Sequence, residues 1–348
     1  MLPGCRRSVL RCFPVGRKAF ALLCWTLAAC APEAGTVDIA VLQWDPATGV
    51  YALEPATLTT LEDVGALRGE AARAIGSAVI VIDGSRLARV STEKQFRDVV
   101  LEDAGGCVRA EFIEQDGVLY PSDFHSLNLA TAYFNFERAR AYALARGMSA
   151  DRLRSVPFYY FPEVHMAGSG PDGELDNAAW FPLLRSFLLF PFEKMQEIPL
   201  AMNQGVIAHE YGHGIFNAEV HAGAWNPAYL GRWCPGGSCP EPRGVRMIDA
   251  VEEGFADAWA VGVTRDPLFT HHSISELGDS RVPARFVRRR HCYSQAAFEH
   301  DLRAAAKLPQ DDQLEYWNGR KYQIGTVLAG ALYRAGCFDF TPDAELGC

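Results

Sequence analysis

The stretch His209-Glu210-Tyr211-Gly212-His213 constrains this chain more than any other. In an α-helix, two histidines four apart project from one face, about one turn from each other. Glu210 then sits one step round the same helix, within reach of a water held near the imidazoles. This H-E-x-x-H arrangement is the donor pattern of a metal site with a general base beside it. The bland alternative is a polar helix carrying two surface histidines, and the rest of the chain has to decide.

Two neutral imidazoles do not hold a catalytic Zn²⁺; three protein ligands with a fourth position open are usual. The segment "DAVEEGFADAWA", Asp249 to Ala260, supplies a third. Glu253 and Asp257 are four apart and share a helix face. Glu253 can enter the metal shell while Asp257, one turn on, accepts a hydrogen bond from a ligating imidazole and fixes its tautomer. By helical phase Glu252 points elsewhere and is expected to face solvent or to be structural. Phe255, Ala256, Ala258 and Trp259 make this helix apolar enough to be buried, and buried carboxylates need partners. No histidine stands at the offset of an H-E-x-x-H-x-x-G-x-x-H site; His221, eight beyond His213, reads as a loop residue. Glutamate as third ligand is therefore the expectation.

Taken together, "HEYGHGI-N" (His209 to Ile215, then Asn217) and "EGFAD" (Glu253 to Asp257) resemble the active-site and ligand helices of gluzincin metallopeptidases, nearest to the thermolysin-like and fungalysin-like families. "DNAAW", Asp176 to Trp180, is similar to the segment that leads into the substrate-aligning edge strand of those families. The resemblance covers roughly Asp123 to Gly336 and implies that Asn177 and Ala178 hold substrate backbone. A simple turn before a strand accounts for "DNAAW" equally well. One departure matters: where the families carry a histidine that stabilises the oxyanion, this chain has Tyr322, three before Gly325. A phenol can donate to an oxyanion, and Tyr322 can equally be a packed aromatic. His271, His272, His291 and Tyr293 are other donors, unranked by the sequence.

The N-terminus reads as an export signal. Residues 1–20 carry five basic residues and no acid, and the apolar run "ALLCWTLAAC" follows, too short for a stable membrane helix. Leu27-Ala28-Ala29-Cys30 resembles a bacterial lipobox, which implies lipidation of Cys30, with an ordinary cleaved signal as the alternative. "RRSVLR" looks like a twin-arginine motif, and the general export route fits as well. Ala31 stands where an aspartate would favour inner-membrane retention, so the outer membrane is the expected address. Without residues 1–29 the chain has 28 basic against 42 acidic residues, a balance of −14. So acidic a protein is a poor partner for nucleic acid.

Six cysteines remain beyond Cys30, an even set that reads as up to three disulfides in an exported chain. Cys234 and Cys239, flanking the turn-rich "PGGS", are the first candidate pair. A cysteine-rich second metal site is the alternative, but no CxxC occurs.

The fold class expected is α+β: a zincin-like, two-lobed metallopeptidase domain over residues 121–348, with a small sheet over the active-site helix and then a mainly helical lobe. Residues 1–29 are expected as the signal and 30–120 as a β-rich accessory or leader region, with a hairpin at Asp116-Gly117. A long helix is expected from Ser122 or Asp123 to Gly147, strands at "VPFYYF" and "SFLLF", helices over 203–217 and 248–263, and a last helix ending at Gly336. The function expected is zinc-dependent hydrolysis of peptide bonds by an exported, lipid-anchored monomer, with Glu210 as general base, one catalytic Zn²⁺ and a peptide or protein as substrate. No calcium site is readable. A zinc-containing binding or adhesion lipoprotein and a cell-wall peptide hydrolase are the alternatives.

Overall fold

The protein is seen in a computed structural model that describes residues 36–87, 89–153, 155–166, 173–193, 197–221, 245–266, 268–274, 295–309, 316 and 321–334. Residues 1–29, Cys30, Cys234, Cys239, His291, Tyr293 and the side chain of Tyr322 lie outside the described residues.

The first half is built mostly from strands. β1 (Val37–Asp45) pairs antiparallel with β2 (Val50–Leu58) across a turn that Asp45 caps, accepting from the N–H of Ala47 at 2.8 Å. Short strands follow: β3 (Leu61–Asp63), β4 (Arg68–Gly69), β5 (Ala72–Gly76) and β6 (Val79–Ile82). After a single turn, α1 (Gly84–Leu87), comes α2 (Glu93–Val100), capped by the Thr92 hydroxyl and burying Phe96 and Val100. β7 (Leu101–Asp103) and β8 (Gly106–Cys107) lead to β9 (Phe112–Gln115) and β10 (Val118–Pro121). The β9–β10 hairpin turns at Asp116 and Gly117, whose φ values of 52° and 81° suit a primed two-residue turn.

The second half is richer in helix. α3 (Phe124–Ala145) starts at Asp123, whose carboxylate accepts from the Ser126 N–H at 2.9 Å. Strands β11 (Val156–Tyr160), β12 (Glu163–Met166), β13 (Ala178–Phe181) and β14 (Ser186–Leu189) precede α4 (Gln204–Glu219) and α5 (Val245–Thr264). Then come α6 (His271–Ile274), α7 (Gln295–Ala305) and α8 (Lys321–Arg334).

Three sheets organise the strands. One runs β2-β1-β10-β9, a second β13-β14-β11-β5-β4-β3 with β8 also on β5, and a third β12-β6-β7. β5 lies parallel to β11, and β6 parallel to β12, so two chain segments cross together from the second sheet to the third. Both bend at residues with positive φ, Ser77 and Phe161. The fold is thus mixed, with several sheets and helices, and is compatible with the α+β class.

The boundary expected near residue 120 does not divide the packing. One apolar cluster runs from Ile39 and Leu58 through Tyr133, Phe158 and Phe187 to Tyr211, Trp259 and Ala329. A second, around Ile80, Phe96, Tyr159 and Leu188, likewise draws on both sides of residue 120. The reason is register: β5 supplies the neighbour that β11 needs, so residues 36–121 complete the sheet that carries the cleft. Cys107, on β8, is an exposed free thiol, so the six-cysteine set does not pair completely.

Candidate metal centre and cleft

α4 is buried almost all round, its polar Gln204, Glu210 and Asn217 included, and its apolar residues Val206, Ile207, Tyr211, Ile215 and Phe216 seat it in the core. Its start is fixed by Asn203, whose side-chain oxygen accepts from the N–H groups of Gly205 (2.9 Å) and Val206 (3.1 Å). The Asn203 amide donates in turn to the Phe269 carbonyl and the Ser273 hydroxyl, both at 2.8 Å. One end of the helix is therefore pinned without freedom to rotate.

α5 packs directly on α4. A Cβ at Gly212 would stand 2.9 Å from the Ala256 Cα, so the two backbones cross where no side chain intervenes. That crossing places the histidines of one helix against the acids of the other. His209 Nε2 and His213 Nε2 are 3.1 Å apart, and each is 3.5 Å from Glu253 Oε2. These three atoms outline a triangle. Tetrahedral Zn²⁺ with ligand bonds of about 2.0–2.1 Å has ligand-to-ligand edges of roughly 3.3–3.4 Å. The donor set fits such an ion in both chemistry and size. His209, Glu210 and His213 offer ligand atoms that all lie within 4.8 Å of one another, a group that can hold a metal ion.

Around the triangle the partners are specific. Asp257 Oδ1 lies 3.0 Å from His209 Nδ1, within ion-pair distance. Glu252 Oε1 lies 3.0 Å from His213 Nδ1. The expectation that Glu252 points elsewhere is corrected here. With the helices this close, a long side chain one position off the facing stripe still reaches the second imidazole. Lys321 Nζ lies 2.7 Å from Glu253 Oε1, a contact that no local sequence signal indicated.

The electrostatics follow from burial and these partners. Burial alone pushes the His209 imidazole toward neutrality, but Asp257 and Glu253 outweigh it and its pKa is raised to about 9. His213 is raised too, Glu252 and Glu253 overcoming the effect of burial. Glu253 is opposed by burial yet held well below the usual carboxylate range, chiefly by the Lys321 ammonium. Burial lifts Asp257 and Glu210, the latter against the pull of both histidines and a backbone N–H.

That N–H belongs to Trp180, which donates to Glu210 Oε2 at 2.5 Å. Trp180 sits on β13, the edge strand of its sheet. Asn177 and Phe181 turn their carbonyls to the Phe190 and Leu184 N–H groups, so by the alternation of an antiparallel pair Ala178 and Trp180 face the free edge. Asn177 Oδ1 accepts from the Ala178 N–H at 2.9 Å. Asn177, Ala178, Trp180, His209, Glu210, His213, Glu253 and Lys321 line one cleft of about 340 Å³.

The other sequence candidates fall elsewhere or out of view. His272 packs against Trp44 and Tyr51 and faces Asp266 across 3.0 Å, with its ring committed away from the cleft. His271 opens α6 and does not line the cleft. Tyr322 is the second residue of α8, next to Lys321. Set against protein-family models and against curated proteins, the chain matches none.

Proposed function

We propose that the protein is a zinc-dependent peptide hydrolase of zincin-like, two-lobed build, with His209, His213 and Glu253 as ligands. The observation that carries this reading is the triangle of two Nε2 atoms and one carboxylate oxygen with Glu210 beside it. Zn²⁺ bound there would lower the pKa of a water toward roughly 7 and polarise a carbonyl.

Glu210 acts as the base. Its Oε2 is held by Trp180, which leaves Oε1 to take a proton from the attacking water and pass it to the departing amine. Burial suits the task by raising its proton affinity. The N–H groups of Ala178 and Trp180 are taken by Asn177 and Glu210, so it is their outward-facing carbonyls that can accept from an extended peptide laid against the edge strand. Asn177, whose amide already caps the Ala178 N–H, stands at the end of that strand. Asp257 and Glu252 orient the two imidazoles from behind. Tyr322 is proposed as a donor to the oxyanion. Tyr322→Phe should then cost about 2.7–4 kcal/mol of transition-state stabilisation, read mainly in kcat, and a wild-type kcat would end that role.

The test is incubation with a mixed peptide library, with and without a chelator. Cleavage between L-amino acids that chelation abolishes supports the peptidase. Bound zinc with no turnover supports a binding lipoprotein, and cleavage confined to cell-wall peptides supports a wall hydrolase. We also propose export and a lipid anchor on Cys30; no helix among the described residues is long and apolar enough to cross a membrane. Membrane retention of an unlabelled Cys30→Ser variant would contradict the anchor.

A further inference from the structure

Glu253 divides its two carboxylate oxygens. Oε2 faces both imidazoles at 3.5 Å, while Oε1 accepts from Lys321 Nζ at 2.7 Å. We propose that Lys321 is a positioning residue for Glu253: its ammonium occupies one oxygen so that the carboxylate presents only the other to the metal. This inference rests on the metal reading above.

Three observations carry it. The pair is largely buried, with 22% of the Lys321 side chain and 9% of that of Glu253 exposed, so solvent does not screen it. Lys321 is the one lysine or arginine among the described residues lining the cleft, which also holds Glu210, Asp249, Glu252 and Glu253. Its location is rigidly set. A Cβ at Gly254, the residue after the ligand, would stand 2.2 Å from the Gly325 carbonyl, so α5 and α8 touch backbone to backbone one turn from Lys321. The ligand glutamate and its lysine are therefore fixed by the same helix crossing.

The consequence is geometric. A carboxylate with both oxygens free can close on a metal ion with two bonds and fill the position that water and substrate need. With one oxygen taken, it contributes a single bond, and three ligands leave a tetrahedral site open. Loss of an outer hydrogen-bond partner of a ligand typically weakens metal binding by about 10–100-fold.

The experiment uses the full exported chain as wild type, Lys321→Arg and Lys321→Met, each stripped and titrated with Zn²⁺ against a chromogenic chelator, then loaded with Co²⁺ for its visible spectrum. The expected result is an affinity loss of about 10–100-fold in Lys321→Met, with a spectrum moved toward higher coordination. Lys321→Arg should keep the wild-type spectrum. Should Lys321→Met not fold, Lys321→Gln, which lacks the charge, replaces it with the same expectation. A Co²⁺ spectrum unchanged in the uncharged variant overturns the assignment whatever the affinity does. Failure of wild type itself to bind either ion overturns the metal reading, and this inference with it.

Discussion

α4 and α8 reach the same cleft by different routes. α4 carries its chemistry as a local pattern: a cap at Asn203, histidines one turn apart and a glutamate beside the first. α8 contributes Lys321 only because Gly325 lies against Gly254, a contact between residues 71 positions apart in sequence. The comparison teaches that the proposed ligands are written locally, whereas the groups placed to aim them arrive through packing. Each half of that statement can be broken separately.

The largest effect should come from the locally written half. Glu210→Gln keeps shape and removes basicity, so turnover should fall by about 10²–10⁴-fold, the range for loss of a general base, while zinc stays bound. A variant with wild-type rate would remove Glu210 from the chemistry. Assayed peptide hydrolysis, normalised to bound zinc, is the measurement.

The next effect is on stability against pH after chelation. The His209 pKa is raised from 6.5 to about 9, so its charged form stabilises the folded state. That contribution is fully present below about 6.5 and is lost as pH rises through about 9. His213 shifts in the same direction. The melting temperature of the chelated protein should therefore fall across this window, and a flat profile would show that the acids do not hold the imidazoles as described.

Much of the first half of the comparison was legible in the sequence. The α4 helix, its Asn203 start, the α5 acids, β11, β14 and the Asp116-Gly117 hairpin all follow from spacing, capping and turn chemistry that act within a few residues. What was not legible depends on distance or on close approach. β5 joins β11 through parallel pairing of Ala72 with Val156, which no local pattern announces. Glu252 meets His213 against the expectation from helical phase alone, because the Gly212–Ala256 crossing brings it within reach. Lys321 carries no signal of its own.

The packing half can be broken at the helix crossing. A Cβ at Gly325 would stand 2.7 Å from both the Ala250 carbonyl oxygen and the Gly254 nitrogen. Gly325→Ala should cost about 1–3 kcal/mol, as overpacking does, and should weaken zinc binding by displacing Lys321. Chemical denaturation and the chelator titration check both. Gly214→Ala sharpens the contrast with the smallest effect. Its Cβ would meet Phe187 and Trp180 at 3.5 Å, ordinary contact, and alanine favours an α-helix over glycine by roughly 1 kcal/mol. Stability should rise by up to that amount with zinc affinity unchanged, and a loss would show that the α4 face is packed more tightly than described.

The central claim is that α4 and α5 together hold one metal ion, and zinc stoichiometry in Glu253→Gln tests it most directly. The triangle of His209, His213 and Glu253 predicts one tightly bound Zn²⁺ per wild-type chain and its loss from the variant after dialysis against a weak chelator. Retention of one zinc per chain in Glu253→Gln, at wild-type affinity, would contradict the account.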